Sequence, residues 1–229
     1  VERDLSFIER VEVTPTAASF RFSRPRDLDF VAGQYMLVEV GPGLIHPLSL
    51  SDCPAERGFV EFTKRMTGSA YCERLLALKS GERIKVRGPQ GSFVVSDRDG
   101  GLVFIVGGIG ITPIRSILKE MVATGAAPTG MLLLYGNRDR EDIAFADELA
   151  ALSLPGFRMV NVLEDPAGMA GAWQGFISPE IIREEVADLP GRLFMVSGPP
   201  VMVKAVGAGL ASLGVDEGRV RTDVFAGYE

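Results

Sequence analysis

Residues 102–121, LVFIVGGIGITPIRSILKEM, restrict the possible folds of this chain more than any other stretch. Five apolar residues without a polar break suit a strand buried on both faces. Three glycines, Gly107, Gly108 and Gly110, then open the way to a helix with Thr112 as N-cap and Pro113 at its first position. Ile114, Ile117, Leu118, Met121 and Val122 recur at helical spacing. Strand, glycine turn and helix form the repeating unit of a parallel sheet with crossover helices. The unit recurs. MLLLY (131–135), RMVNVL (158–163), LFMVS (193–197) and VRTDVF (220–225) read as further strands. Helices are expected within DIAFADELAAL (142–152), SPEIIREEV (178–186) and PPVMVKAVGAGLASL (199–213). The C-terminal half is thus an α/β doubly wound sheet of five parallel strands, with Trp173 packing a loop between the third strand and its helix.

The first 98 residues have another rhythm. SFRFS (19–23), QYMLVEV (34–40), PLSLS (47–51), GFVEFTKRM (58–66) and RIKVRG (83–88) are short strand-like runs separated by turn signals. SAYCERLLALKSG (69–81) holds one short helix, with Tyr71, Leu75, Leu76 and Leu78 as its apolar positions. Antiparallel strands with one helix point to a Greek-key β-barrel. The change of rhythm at DRDGG (97–101) divides the chain into domains at 1–98 and 99–229.

At 229 residues and 46% apolar content there is material for two cores. A net charge of −6 with mixed signs excludes a nucleic-acid footprint. No apolar run approaches the ~20 residues of a membrane span, and VERDLSF does not read as a signal peptide. Two cysteines cannot hold an iron–sulfur cluster, and one histidine cannot build an imidazole zinc site or a bis-histidine haem. The expectation is a metal-free protein of a reducing cytoplasm, whose redox chemistry must come from an organic cofactor.

Ligands of doubly wound sheets bind beyond the carboxyl ends of the strands. Three such ends carry unusual residues here. The glycine turn at 107–110 suits either a pyrophosphate or a tight strand-to-helix connection. Strand two runs into Gly136, Asn137 and Arg138, where the arginine suits a 2′-phosphate or solvent. Strand four ends in Ser197, Gly198 and Pro199 at a helix start. Together they indicate a dinucleotide site.

In this order the motifs resemble the ferredoxin–NADP⁺ reductase superfamily over essentially the whole chain. GPQGSF (88–93) is similar to the barrel-closing turn, GGIGITP (107–113) to the nucleotide pyrophosphate loop, and YGNRDREDIAFADEL to the ribose-side segment. VSGPPVMVKAV is similar to the cysteine-glycine-proline-proline element, and FAGY (225–228) to a common ending. HPLS (46–49) corresponds to the flavin motif of arginine, any residue, an aromatic, then serine or threonine, with His46 for the arginine and Leu48 for the aromatic. TKRMTGSAYC resembles the second flavin element, with Cys72 where serine or threonine is usual.

The resemblance implies an FAD-dependent oxidoreductase that takes a hydride from NADPH or NADH, with FMN a lesser possibility. On the flavin side it implicates His46, Pro47, Leu48, Ser49, Thr63, Lys64, Gly68, Ser69, Ala70, Tyr71 and Cys72, the amides of 69–72 cradling the FAD pyrophosphate. FAD binding is expected to be weaker than in typical members, since imidazole replaces a bidentate guanidinium and leucine offers no stacking. Gly108, Gly110, Thr112, Gly136, Asn137, Arg138, Ser197, Gly198 and Pro199 fall on the nucleotide side. Ser49 is implied near flavin N5, Ser197 near the nicotinamide, and Asp223 on a proton route, while Phe225 and Tyr228 cover the flavin. Cys53 and Cys72 are expected to be inert. The acceptor implied is a separate ferredoxin, flavodoxin or larger redox enzyme. Two alternatives stand beside this reading: a reductase subunit of a hydrogenase-, dihydroorotate dehydrogenase- or sulfite reductase-type complex, and a flavin-free binding domain.

Overall fold

The computed structural model describes residues 1–96, 101–128 and 130–225. DRDG at 97–100 therefore lies outside the described residues. Contacts divide the chain into two compact units, Val1–Val95 with Thr112–Thr124, and Ser96–Ile111 with Gly125–Glu229.

The first unit contains six antiparallel strands: β1 (Glu2–Thr14), β2 (Ala17–Ser23), β3 (Tyr35–Gly41), β4 (Leu44–Ser49), β5 (Phe59–Arg65) and β6 (Arg83–Gln90). Their order is β4-β3-β6-β1-β2-β5, and a bridge between Leu50 and Phe62 joins the two edges, as the barrel expectation requires. Inside, Phe7 packs on Phe22 and Phe22 on Phe62 with ring centroids 5.5 and 6.0 Å apart. Strand β1 was not among the expected strands, although it is the longest. Only Leu5 and Phe7 of it are buried, and register shifts between Phe7 and Glu9 and between Glu12 and Thr14 break the two-residue alternation.

Helix α1 (Ala70–Leu76) starts at Ser69, whose hydroxyl accepts the Cys72 N–H. Tyr71 and Leu75 are buried but Leu76 is exposed, so the apolar stripe is narrower than expected. Helix α2 (Ile111–Thr124) grows directly out of a 3-10 turn at Gly108–Gly110. Thr112 therefore lies inside the first turn and is not the N-cap, because the turn already supplies helical backbone ahead of it. Val122 also leaves the expected face and is exposed.

The second unit is a parallel sheet of β7 (Leu102–Gly107), β8 (Leu132–Asn137), β9 (Arg158–Leu163), β10 (Trp173–Gln174), β11 (Leu193–Gly198) and β12 (Val220–Val224). The order is β10-β9-β8-β7-β11-β12. The five expected strands are all present. The sixth is the two-residue β10, so Trp173 belongs to an edge strand rather than a loop. Its indole N–H donates to Glu185 Oε1 at 2.7 Å. Helix α3 spans only Ala146–Ala150, since Phe145 takes a left-handed backbone (φ 60°) that stops a helix beginning at Asp142. Helices α4 (Pro179–Glu185) and α5 (Pro200–Ser212) follow as expected. One sheet face packs Val103, Ile105, Leu134 and Val196 with Ile182, Val203 and Leu210 of those helices. Strand register aligns Asn161, Tyr135, Val106, Ser197 and Asp223 in a single row on the opposite face.

Candidate flavin and nucleotide sites

β4 brings His46, Leu48 and Ser49 opposite Val38, Met36 and Tyr35 of β3. The alternation sends Leu48 and Leu50 into the barrel core. Leu48, implied among the flavin-side residues, thus packs in the barrel core, where an aliphatic side chain gains more than on an exposed face. Ser49 lies on the other side of the strand and is buried, while Pro47 is exposed.

His46 meets Tyr71 edge-on, with ring centroids 4.3 Å apart. The Tyr71 hydroxyl donates to the Val38 carbonyl at 3.1 Å, which fixes the ring. Over the same ring, 5.8 Å from its centroid, stands the ammonium of the buried Lys64. Burial lowers the pKa of His46, and the Lys64 charge lowers it further. Lys64 is itself lowered by burial, against the opposing pull of Cys72. Burial pushes the Cys72 thiol up, but hydrogen bonds from Ser69 and Thr67 and the charge of Lys64 outweigh it and leave the pKa low. Lys64 thus brings one positive charge to Tyr71 and His46 an imidazole N–H, replacing part of what the missing arginine would supply. Gly68 adds room, since no atom lies within 4 Å of where a Cβ would stand. This donor set fits a diphosphate such as that of FAD.

Two flavin-side expectations change. The Ser69 hydroxyl already takes the Cys72 amide, so residues 69–72 do not present a full set of free N–H groups. Ala70 remains exposed beside it. Thr63 turns inward, its hydroxyl 2.7 Å from Ser19 Oγ and 2.8 Å from Ser51 Oγ, which removes it from the expected cofactor contacts.

That interior cluster centres on a pair of residues sequence reasoning missed. Glu61 is 1% exposed and Arg115 5%. Arg115 Nη1 donates to Glu61 Oε1 and to the Ser51 carbonyl, both at 2.6 Å. Arg21 Nε donates to Glu61 Oε2 at 2.8 Å, and the Ser19 and Ser51 hydroxyls donate to Oε1 at 3.2 Å. Burial raises the Glu61 pKa, but Arg115 and Arg21 outweigh it and keep the carboxylate ionised. Beside it the fully buried Asp52 accepts the Glu61 N–H at 2.9 Å, and burial pushes its pKa up to about 7. A charge amid GFVEFTKRM and another inside the apolar α2 stripe were the signal that would have found the pair.

In the second unit the glycines divide by role. A Cβ on Gly107 would stand 2.3 Å from Met202 Sδ, and one on Gly110 would stand 2.6 Å from the Ser197 carbonyl oxygen. Those two are glycine because the turn packs against β11 and α5. Gly108 has φ +51°, the left-handed backbone that lets the turn open away from β7. At the strand ends, Ser197 Oγ and both polar atoms of Asn137 are buried without a hydrogen bond from the described residues. Unmet groups of this kind cost about 1–3 kcal/mol each. They lie at the carboxyl ends of β11 and β8, beside Gly136, Gly198 and Pro199, and fit a nucleotide that supplies the partners. Asp223 is aligned with Ser197 across β12, and the Phe225 N–H donates to the Gly198 carbonyl at 2.9 Å. Tyr228 lies outside the described residues.

Arg138 does not reach out alone. Its Nε donates to Asp139 Oδ2 at 3.0 Å, and Nη2 is 3.4 Å from the Oδ2 of the buried Asp142. Among the described residues no group of three or more His, Cys, Asp and Glu side chains could hold a metal ion. No described helix is long and apolar enough to cross a membrane.

A barrel unit with a diphosphate-type donor set and a doubly wound unit with unmet polar groups at its strand ends define an FAD- and NAD(P)-dependent oxidoreductase. The family model for an oxidoreductase FAD-binding domain matches residues 4–95, and that for an oxidoreductase NAD-binding domain matches 104–208. NADH-cytochrome b5 reductase 1 of Aspergillus terreus is 30% identical over 92% of this chain and 77% of its own. The FAD/NAD-binding domain of the Vibrio cholerae nitric oxide dioxygenase superposes with a TM-score of 0.86 at 25% identity, covering 97% of this chain and 98% of that one. A ferredoxin NADP⁺ reductase of Neisseria gonorrhoeae shares the fold with a TM-score of 0.86 at 22% identity, over 97% and 98% of the two chains. The chain belongs to the ferredoxin–NADP⁺ reductase superfamily. It is an NAD(P)H-dependent flavin oxidoreductase with FAD and NAD(P) as cofactors.

Proposed function

We propose that the chain oxidises NADH in preference to NADPH and passes the electrons to a haem protein of the cytochrome b5 class. The pairing of Arg138 with Asp139 and Asp142 carries the choice of donor. A guanidinium already committed to two carboxylates is a poor partner for a 2′-phosphate, and those carboxylates repel the added charge while accepting bonds from a ribose diol. The acceptor rests on the likeness to the A. terreus NADH-cytochrome b5 reductase 1. A ferredoxin or flavodoxin is the rival acceptor.

FAD, when bound, supplies a carrier that takes two electrons together and gives them up singly. The protein's part is placement. Lys64 offers positive charge and His46 an imidazole N–H to the diphosphate, and Ser49 offers a hydroxyl for a proton at the flavin-side strand. Ser197 and Asn137 orient the nicotinamide nucleotide with their unmet polar atoms. Asp223, in register with Ser197, is placed to relay a proton, and Phe225 to shield the ring. Steady-state reduction of cytochrome b5 and of a [2Fe–2S] ferredoxin with NADH tests the acceptor. Faster turnover of cytochrome b5 is expected, and turnover confined to ferredoxin would overturn the proposal.

A further inference from the structure

Ser49 sits at a corner. Up to Ser49 the strand pairs with β3; Leu50 then bridges Phe62 of β5, and the Ser51 N–H donates to the Glu61 carbonyl at 2.9 Å. Its position therefore depends on what holds residues 50 and 51 to β5. Leu50 is held by apolar packing and by its N–H, which donates to the Gln34 carbonyl at 3.0 Å. Ser51 is held by directional bonds: its hydroxyl to Thr63 and Glu61, its carbonyl to Arg115. Arg115 ties the corner backbone to the carboxylate through one nitrogen at 2.6 Å from each. A buried ion pair is a weak source of net stability, and well-packed apolar replacements are often neutral or better. Stability therefore does not account for this arrangement, whereas fixing a backbone atom to within tenths of an ångström does.

We infer that Arg115, acting through Glu61 and the Ser51 carbonyl, is a positioning residue that sets the placement of Ser49 for hydride transfer. The inference rests on the reading of Ser49 given above. Its test uses the full-length holoprotein and four variants. Arg115→Met alone leaves Glu61 buried with one cation fewer and is expected to lower the melting temperature. Glu61→Gln with Arg115→Met removes both charges and is expected to restore it. In that double variant, anaerobic flavin bleaching by NADH is expected to be slower on the order of tenfold with NADH affinity unchanged, since misplacement acts on the chemical step. A wild-type bleaching rate in the stable double variant overturns the inference.

Arg115→Lys covers the case in which the double variant does not fold. An ammonium one bond shorter than Arg115 Nη1 reaches the Glu61 carboxylate and the Ser51 carbonyl only at longer distance, so a folded protein with intermediate slowing is expected, and a wild-type rate again overturns it. Ser49→Ala separates the two claims. A wild-type rate there overturns the Ser49 reading itself. A slow Ser49→Ala beside a fast double variant overturns only the role of Arg115.

Discussion

Ser197 and Asn137 keep buried polar atoms without partners among the described residues, a cost that nucleotide binding would offset. Ser197→Ala is therefore expected to raise stability of the nucleotide-free protein by about 1 kcal/mol while weakening NADH binding, as thermal unfolding and a nucleotide titration would read. Arg138 gives the complementary case. Replacing Asp139 and Asp142 by asparagine frees its guanidinium, so kcat/KM for NADPH is expected to rise several-fold relative to NADH. Asp52 sets a pH dependence. Its folded pKa, raised to about 7 by burial, lies above that of the unfolded chain, so its contribution to stability is full below about pH 4, falls as pH rises from there and is lost above about 7. Asp52→Asn is expected to be more stable than wild type at pH 8, on the order of 2–4 kcal/mol, with the gap closing toward about pH 4. An unchanged pH–stability profile would contradict that assignment.

Elements with a strong period were legible, and those whose form depends on distant contacts were not. β7, β8 and β11 follow from apolar runs bounded by turn signals, β9 and β12 from their place after the crossover segments, and β9 was legible to the residue. β1 escaped because its bulges scramble the alternation and β10 because two residues carry no period, while α3 lies within the expected 142–152 and is cut short where Phe145 turns left-handed. In the site, Ser197 and Asn137 were legible from their place at strand ends. The inward turn of Thr63 and Leu48 was not, because strand pattern alone does not say which face of β4 and β5 meets the core. Nor was the Glu61–Arg115 pair, whose partners stand 54 residues apart. The glycine turn ahead of α2 carries an element-scale prediction. Gly110→Ala would press a Cβ on the Ser197 carbonyl, backbone that cannot swing aside. A loss of about 1–3 kcal/mol is expected, with weaker NADH binding as the end of β11 shifts. A stable Gly110→Ala protein with normal affinity would show that the turn has slack.

At the scale of the whole molecule, a flavin-binding barrel and a nucleotide-binding sheet on one chain have a common purpose only if electrons pass from one nucleotide to the other. The division of labour follows the two cores: charge around Tyr71 in the barrel, unmet polar groups at the strand ends of the sheet. The proposed preference for NADH then rests on a local feature, the carboxylates around Arg138. Anaerobic titration of the purified holoprotein with NADH and, separately, NADPH reads both levels in the flavin absorbance. Stoichiometric bleaching by NADH at concentrations where NADPH leaves the bands intact is the expected result. Bleaching by NADPH first, or by neither nucleotide, would contradict it.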